Sequence, residues 1–219
     1  MTSPRPVHPH RLRLMVITDR RLAGSRGVEG VVSTALSSGA PAIQLREKEL
    51  GIAETLALGR RLRRMTREAG ALFFVNDRLD LALALEADGV HLGPDDLPIG
   101  EVRRFVGDRM LIGYSTDDPA EARNAQAEGA DYLGCGTLWP TTSKQDAGSV
   151  IGPEGLARVV AAVSIPVLGI GGITPDRTRE LGGTGAAGVA VLGAVMAAPR
   201  PAAAVEKLLR NLAALSLEG

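Results

Sequence analysis

A single cysteine, Cys135, stands in this chain of 219 residues, so no internal disulfide forms and no cysteine pair supplies a zinc-ligand spacing. Neither sign of charge prevails: 25 Lys plus Arg face 25 Asp plus Glu, which leaves no long-range field to draw the protein onto nucleic acid or anionic lipid. Any cationic site is therefore local. No apolar run approaches the roughly 20 residues that span a bilayer. The opening segment, 1–13, holds Pro4, Pro6, Pro9, His8 and His10 but no stretch of secretory-signal length. These absences point to a soluble, cytoplasmic protein with neither nucleic-acid nor membrane partners. Residues 1–13 read as a flexible N-terminal tail and 14–219 as one domain, in keeping with 45% hydrophobic residues.

What is present is an alternation. Short apolar runs at 14–18, 42–45, 72–75, 89–92, 111–114, 132–134, 166–169 and 188–191 read as strands. Segments with helical spacing at 27–38, 52–69, 78–87, 100–106, 119–128, 154–162, 175–181 and 202–215 separate them. Gly39, Gly70, Gly129 and Gly185 mark helix ends, whereas Asp118-Pro119 and Thr174-Pro175 mark helix starts. A run of about eight strand–helix units predicts an α/β fold, a single (β/α)₈ TIM barrel. The open doubly wound alternative calls for a Gly-rich turn after the first strand, and Thr18-Asp19-Arg20-Arg21 follows here instead.

Such barrels carry their chemistry where the strands end. Gln44, Arg46 and Lys48 leave the second strand at a spacing of two, which turns all three to one side of an extended chain. A solvated charge run, Arg46-Glu47-Lys48-Glu49, is the plainer reading. Asn76-Asp77-Arg78 ends the third strand and Gly93-Pro94-Asp95-Asp96 the fourth, so carboxylates from neighbouring strands share the rim. Asp77 and Asp96 are the candidates for Mg²⁺, which binds through one or two carboxylates plus substrate phosphates. The plainer reading makes Asp77 a helix cap and Asp95 or Asp96 a turn former.

After the sixth strand, Thr141, Thr142 and Ser143 offer hydroxyls and Lys144 a charge to an anionic substrate, in a loop too long for a mere connection. Gly169-Ile170-Gly171-Gly172-Ile173 and Leu192-Gly193-Ala194 occupy the seventh and eighth loops, where this fold commonly holds phosphate. His91 reads as an interior histidine with satisfied partners, and Cys135 as a buried strand-end residue.

Taken in order, Thr18-Asp19-Arg20, Gln44-x-Arg46-x-Lys48, Val75-Asn76-Asp77-Arg78, Asp88-Gly89-Val90-His91-Leu92-Gly93, Asp95-Asp96, Pro140-Thr141-x-Ser143-Lys144 and Gly169-Ile170-Gly171-Gly172-Ile173 resemble the thiamine phosphate synthase and thiazole tautomerase family. The resemblance spans about Met15 to Val195. It implies a synthase that joins a pyrimidine diphosphate to a thiazole phosphate, or its carboxylated form, and releases pyrophosphate. It implies that Gln44, Arg46, Lys48, Asn76, Ser115 and Lys144 hold the pyrimidine diphosphate, and that Asp77 and Asp96 bind one Mg²⁺. Thr141, Thr142, Ser143, Gly171, Gly172, Leu192 and Gly193 would hold the thiazole phosphate. The implied mechanism is dissociative: a pyrimidine methyl cation forms and thiazole nitrogen captures it, with Arg46, Lys48 and Lys144 as the catalytic cations.

Pro94 stands where the family often has Gln, Gly193 where many members have Ser, and Asp117 where the tautomerase branch uses His. Two rival readings are a tautomerase-like or regulatory barrel of the same family, and a Schiff-base aldolase working through Lys48 or Lys144. Partners are small molecules, and the sequence is compatible with a homo-oligomer.

Overall fold

Strands that are covered on both faces, inward by other strands and outward by helices, carry continuous apolar runs instead of alternating ones. In the computed structural model of the chain, which describes residues 9–141 and 149–215, those runs form β1 (Leu14–Ile17), β2 (Ala42–Leu45), β3 (Leu72–Asn76), β4 (Gly89–Leu92), β5 (Leu111–Ser115), β6 (Tyr132–Cys135), β7 (Val167–Ile170) and β8 (Gly188–Val191). Each strand pairs parallel with the next. β8 returns to β1 through Leu14–Val189, Met15–Ala190 and Val16–Val191, and the sheet closes in chain order. The fold is the (β/α)₈ barrel that the sequence predicts, with every strand limit within one residue of the expected one.

Around it lie α1 (Arg20–Ala23), α2 (Gly27–Ser37), α3 (Ile52–Glu68), α4 (Leu79–Ala84), α5 (Ile99–Val106), α6 (Pro119–Glu128), α7 (Gly152–Val160), α8 (Gly193–Met196) and α9 (Pro201–Leu215). The four expected helix-stop glycines all have positive φ. Asp118 caps α6, accepting from Ala120 N and Glu121 N at 2.8 Å each. The helix expected at 78–87 ends early because Glu86 turns into the left-handed region, φ 48°. The segment expected as a helix at 175–181 is a 3₁₀ turn, Arg177–Leu181. Pro175 O is taken there by Thr178 Oγ1 and by Asn211 Nδ2 of α9, so it is spent on side chains instead of an α-helical ladder.

The last five residues of the expected tail are fixed. Pro9–Arg11 makes a 3₁₀ turn, Leu12 is fully buried with the barrel-interior residues, and Arg13 O accepts from Val189 N at 3.0 Å. Burial of Leu12 holds these residues against the barrel.

Inward side chains form one cluster that includes Met15, Ile17, Leu72, Phe74, Tyr132 and Leu168. Outward ones such as Val16, Ile43, Phe73, Val90 and Leu133 pack under the helices. Phe74 and Tyr132 meet edge to face at 5.5 Å inside the barrel. Two glycines make room for them: a Cβ at Gly89 would lie 2.3 Å from the Phe74 ring, and one at Gly113 would lie 2.2 Å from Tyr132 Cζ. Large side chains therefore lie over glycines of the neighbouring strands, which fills the barrel.

Candidate active site at the strand ends

Beyond β1 and β2 the ladder is continued by a side chain. Thr18 Oγ1 donates to Arg46 O at 3.0 Å and accepts from Arg46 N at 2.9 Å, fixing the backbone from which Arg46 rises. The Arg46 guanidinium lies 3.6 Å from Asp19 Oδ2, and the other Asp19 oxygen caps α1 through Leu22 N at 3.0 Å. Glu47 turns the opposite way. Its side chain is 3% exposed, and one oxygen accepts from Glu49 N at 2.8 Å and Leu50 N at 3.4 Å. The other oxygen meets Arg20 Nε at 3.4 Å, and Arg21 pairs with Glu49. Residues 46–49 are therefore an ordered loop pinned to α1, not a solvated charge run. Gln44 is buried inside the barrel, Arg46 is largely buried and Lys48 half exposed, so the three climb from the interior to the rim.

Asp77 follows Asn76, the last residue of β3, with φ 61°. Its N–H donates to His91 O at 2.8 Å, which extends the β3–β4 pairing, and Arg78 N reaches back to Asn76 O at 2.7 Å. A non-glycine residue held in the left-handed region stores about 1–3 kcal/mol and needs its surroundings to hold it. The helix-cap reading fails for Asp77: the cap position of α4 is Arg78, with no side-chain cap. For Asp96 the turn reading holds for one oxygen, since Oδ2 accepts from Gly93 N at 2.7 Å.

The two carboxylates meet at the rim. Burial, followed by the charge of Asp96, raises the Asp77 carboxyl above its ordinary pKa, and Lys48 at 3.5 Å from Asp77 Oδ2 works in the opposite direction. Carboxylates that repel each other in partial burial form a ready place for a cation. Among the described residues no three His, Cys, Asp or Glu converge to hold a metal. A pair of hard oxygen donors leaves open positions, the set that suits Mg²⁺ shared with phosphate oxygens.

Below this rim runs a polar chain. His91 Nε2 is 2.9 Å from Ser115 Oγ and His91 Nδ1 is 3.0 Å from Tyr132 Oη. Gln44 reaches the same tyrosine hydroxyl, and its Nε2 also contacts Met15 Sδ at 3.3 Å. Full burial drives the Tyr132 hydroxyl far above its ordinary pKa, so it stays a neutral hydrogen-bonding group. His91 is thus the paired interior histidine that the sequence suggests. Two expected pyrimidine contacts, Gln44 and Ser115, are joined through it. Asn76 is paired in register with His91. Cys135 is buried, with its thiol pushed up to about 12 by burial first and by Asp117 second, and it is chemically quiet.

The loops after β6 and β7 are laced together. Leu138 N donates to Ile170 O at 3.0 Å and Trp139 N to Gly171 O at 3.1 Å. Gly171 and Gly172 have φ of 93° and 64°, and their N–H groups are donors in none of the turn and loop hydrogen bonds of the described residues. Leu192 is buried at the start of α8, and Gly193 is that helix's first residue. Thr141 lies at this end of the rim, and Thr142, Ser143 and Lys144 fall outside the described residues. Pro94 and Asp117 are both exposed.

Sequence reasoning missed Asp19 and Glu47 as orienting groups, Tyr132 as the link between His91 and Gln44, and Arg177. Arg177 Nη1 donates to Gly172 O at 2.7 Å. Only Thr18-Asp19-Arg20 carried a signal, through its place at a strand end.

A model of the family described as thiamine monophosphate synthase matches residues 14–195. The thiamine-phosphate synthase of Moorella thermoacetica is 51% identical over 195 residues, 89% of this chain and 93% of that protein. That of Pyrococcus furiosus is 50% identical over 199 residues, 91% of this chain and 94% of the relative. The solved structure of a thiamine phosphate pyrophosphorylase from Pyrococcus furiosus superposes with a TM-score of 0.86 at 44% identity, covering 94% of this chain and 98% of that one.

Proposed function

This chain belongs to the thiamine monophosphate synthase family, and from that premise we propose how its rim carries out the transfer. The enzyme is a transferase of thiamine biosynthesis that forms thiamine phosphate. In our reading the pyrimidine ring of the diphosphate substrate lies over β2 to β5 against Gln44, Asn76 and Ser115. Its diphosphate follows Arg46, Lys48 and Lys144. The thiazole phosphate lies over β6 to β8, held by Thr141, Thr142, Ser143, Gly171, Gly172, Leu192 and Gly193.

The observation that carries this reading is the meeting of Asp77, Asp96 and Lys48 at one point of the rim. Mg²⁺ held by Asp77 and Asp96 would supply positive charge where the departing diphosphate gathers negative charge. The carbon–oxygen bond breaks with its electron pair going to the diphosphate, and Arg46 and Lys48 meet the charge that develops there. Such interactions favour the transition state over the bound substrate. The thiazole nitrogen then gives its lone pair to the methylene carbon, forming the new carbon–nitrogen bond without a side-chain nucleophile. Fixed by Asp19 and Thr18, Arg46 needs little reorganisation as the bond breaks.

The aldolase alternative gains no support from Lys48. That lysine faces a carboxylate, where a Schiff-base lysine sits in apolar burial or beside another cation. A cytoplasmic location agrees with a lone, buried Cys135 and with the absence, among the described residues, of any helix long and apolar enough to cross a membrane.

Mixing the protein with pyrimidine diphosphate, thiazole phosphate and Mg²⁺ and following both products is the test. Thiamine phosphate and pyrophosphate in equal amounts, lost with EDTA and in Asp77→Ala, are the expected result. Binding of thiazole phosphate by a folded protein that makes no product would favour the tautomerase-like or regulatory barrel.

A further inference from the structure

We propose that Arg177 is a positioning residue for the thiazole phosphate half-site, fixing the start of the loop after β6 against the glycine turn after β7. The inference rests on placing the thiazole phosphate at this end of the rim. Arg177 opens the 3₁₀ turn Arg177–Leu181, and its backbone N–H is held by Thr174 Oγ1 at 3.3 Å. The side chain folds back over both loops at once. Nη1 donates to Gly172 O at 2.7 Å, while the guanidinium carbon lies 5.6 Å from the centroid of the Trp139 ring, in the range of a cation–π contact.

The two backbones already touch beneath it. Trp139 N donates to Gly171 O at 3.1 Å, and a Cβ at Gly172 would fall 2.4 Å from Trp139 O. With the Gly172 carbonyl held by the guanidinium, the plane of the Gly172–Ile173 peptide is fixed. The stacked indole then fixes the Gly171–Gly172 turn beside it. Pro140 restricts the backbone just after Trp139, and Thr141 follows directly. One side chain thus sets the positions of a hydroxyl on one loop and of two backbone N–H groups on the other. A planar, delocalised cation suits this double task because it can stack and donate together.

Trp139 is the one tryptophan of the chain, so selectively excited tryptophan emission reports the surroundings of this side chain. In Arg177→Met we expect a red-shifted emission that iodide quenches more readily. The KM for thiazole phosphate should rise about tenfold, the effect of one lost charge-assisted hydrogen bond. The KM for pyrimidine diphosphate and kcat should stay near wild type. Arg177→Lys, which keeps a cation over the ring, should recover most of both signals, and circular dichroism establishes that each variant folds. Gly171→Ala, a strained substitution at φ 93°, tests the half-site itself and should raise the same KM. Unchanged emission and KM in Arg177→Met, with a raised KM in Gly171→Ala, would overturn the role of Arg177 and leave the half-site standing. Equal rises in both substrates' KM would reduce Arg177 to general support and also overturn it. An unchanged thiazole phosphate KM in Gly171→Ala would remove the half-site assignment, and the inference with it.

Discussion

Lys48 Nζ stands 3.5 Å from Asp77 Oδ2, so a cation assigned to the diphosphate and a carboxylate assigned to the metal offset each other in the free protein. On the proposed reading, binding of Mg²⁺ and diphosphate would exchange this pairing for two others. Lys48→Met should therefore tighten Mg²⁺ binding to the free protein, by no more than about fivefold because partly exposed pairs contribute about 1 kcal/mol or less. The same variant should raise the KM for pyrimidine diphosphate by about tenfold or more, since a charge-assisted contact is lost. Calorimetric titration with Mg²⁺ reads the first effect, and an unchanged or weaker affinity would count against the pairing.

Asp77→Asn separates stability from activity. The Asp77 carboxyl is raised by burial and by Asp96, so in the metal-free protein its contribution to stability is present below its unfolded pKa and is lost as pH rises through its folded value. Removing the charge should raise the melting temperature of the metal-free protein at neutral pH by about 1–3 °C, with no gain in strong acid. Turnover should fall by about 10²–10³-fold, as when one electrostatic stabiliser is deleted. For the native enzyme, Mg²⁺ binding should fade on acidification at a higher pH than an unperturbed carboxylate would give. Thermal melts across pH with and without Mg²⁺ decide this, and a lower melting temperature in the metal-free variant at pH 7 would contradict it.

Tyr132→Phe keeps the ring and removes the hydroxyl that His91 Nδ1 meets at 3.0 Å. A buried polar group left without its partner costs about 1–3 kcal/mol, so the denaturation midpoint should drop. Gln44 loses the hydroxyl that joins it to His91, and Ser115 keeps a histidine held on one side only, so the KM for pyrimidine diphosphate should rise while that for thiazole phosphate holds. A stability loss with both KM values unchanged would limit the polar chain to a structural part.

Alkaline titration offers a check free of substrates. The chain has two tyrosines. Tyr114, partly buried and bonded to Glu121 at 2.8 Å, is pushed up to about 12, and Tyr132 goes further through full burial. The folded protein therefore keeps protons that the unfolded chain releases near pH 10, and stability should decline from about pH 10 upward through about pH 12. Tyrosinate absorbance should stay near zero at pH 10.5 in the folded state and rise to about three quarters of its full value on denaturation. Tyr114→Phe should flatten part of the decline.

Much of the rim could be read without coordinates because strand ends advertise themselves. An apolar run followed by Gln44, Arg46 and Lys48, or by Asn76 and Asp77, fits a buried strand leaving for a polar edge. Partners across the barrel could not be read in this way. Tyr132 and Ser115 flank the same histidine from β6 and β5, Glu47 turns toward Arg20 of α1 between two cations that turn the other way, and Arg177 crosses to Trp139 on the preceding loop. Nothing in local spacing distinguishes these from neighbours that point to solvent.

By itself, the sequence determined the alternation of eight strands with helices, the helix-ending glycines, the polar residues that crown each strand and the family they resemble. All of these are local patterns, set by side-chain period and by backbone preferences over a few residues. Tertiary structure alone decided that Asp77 meets Asp96 on one side and Lys48 on another, that Asp77 is held at φ 61°, and that Leu12 belongs to the barrel interior. These depend on closure of the sheet, which brings β3 beside β4 and β8 beside β1 and so fixes distances between residues that no spacing along the chain can set.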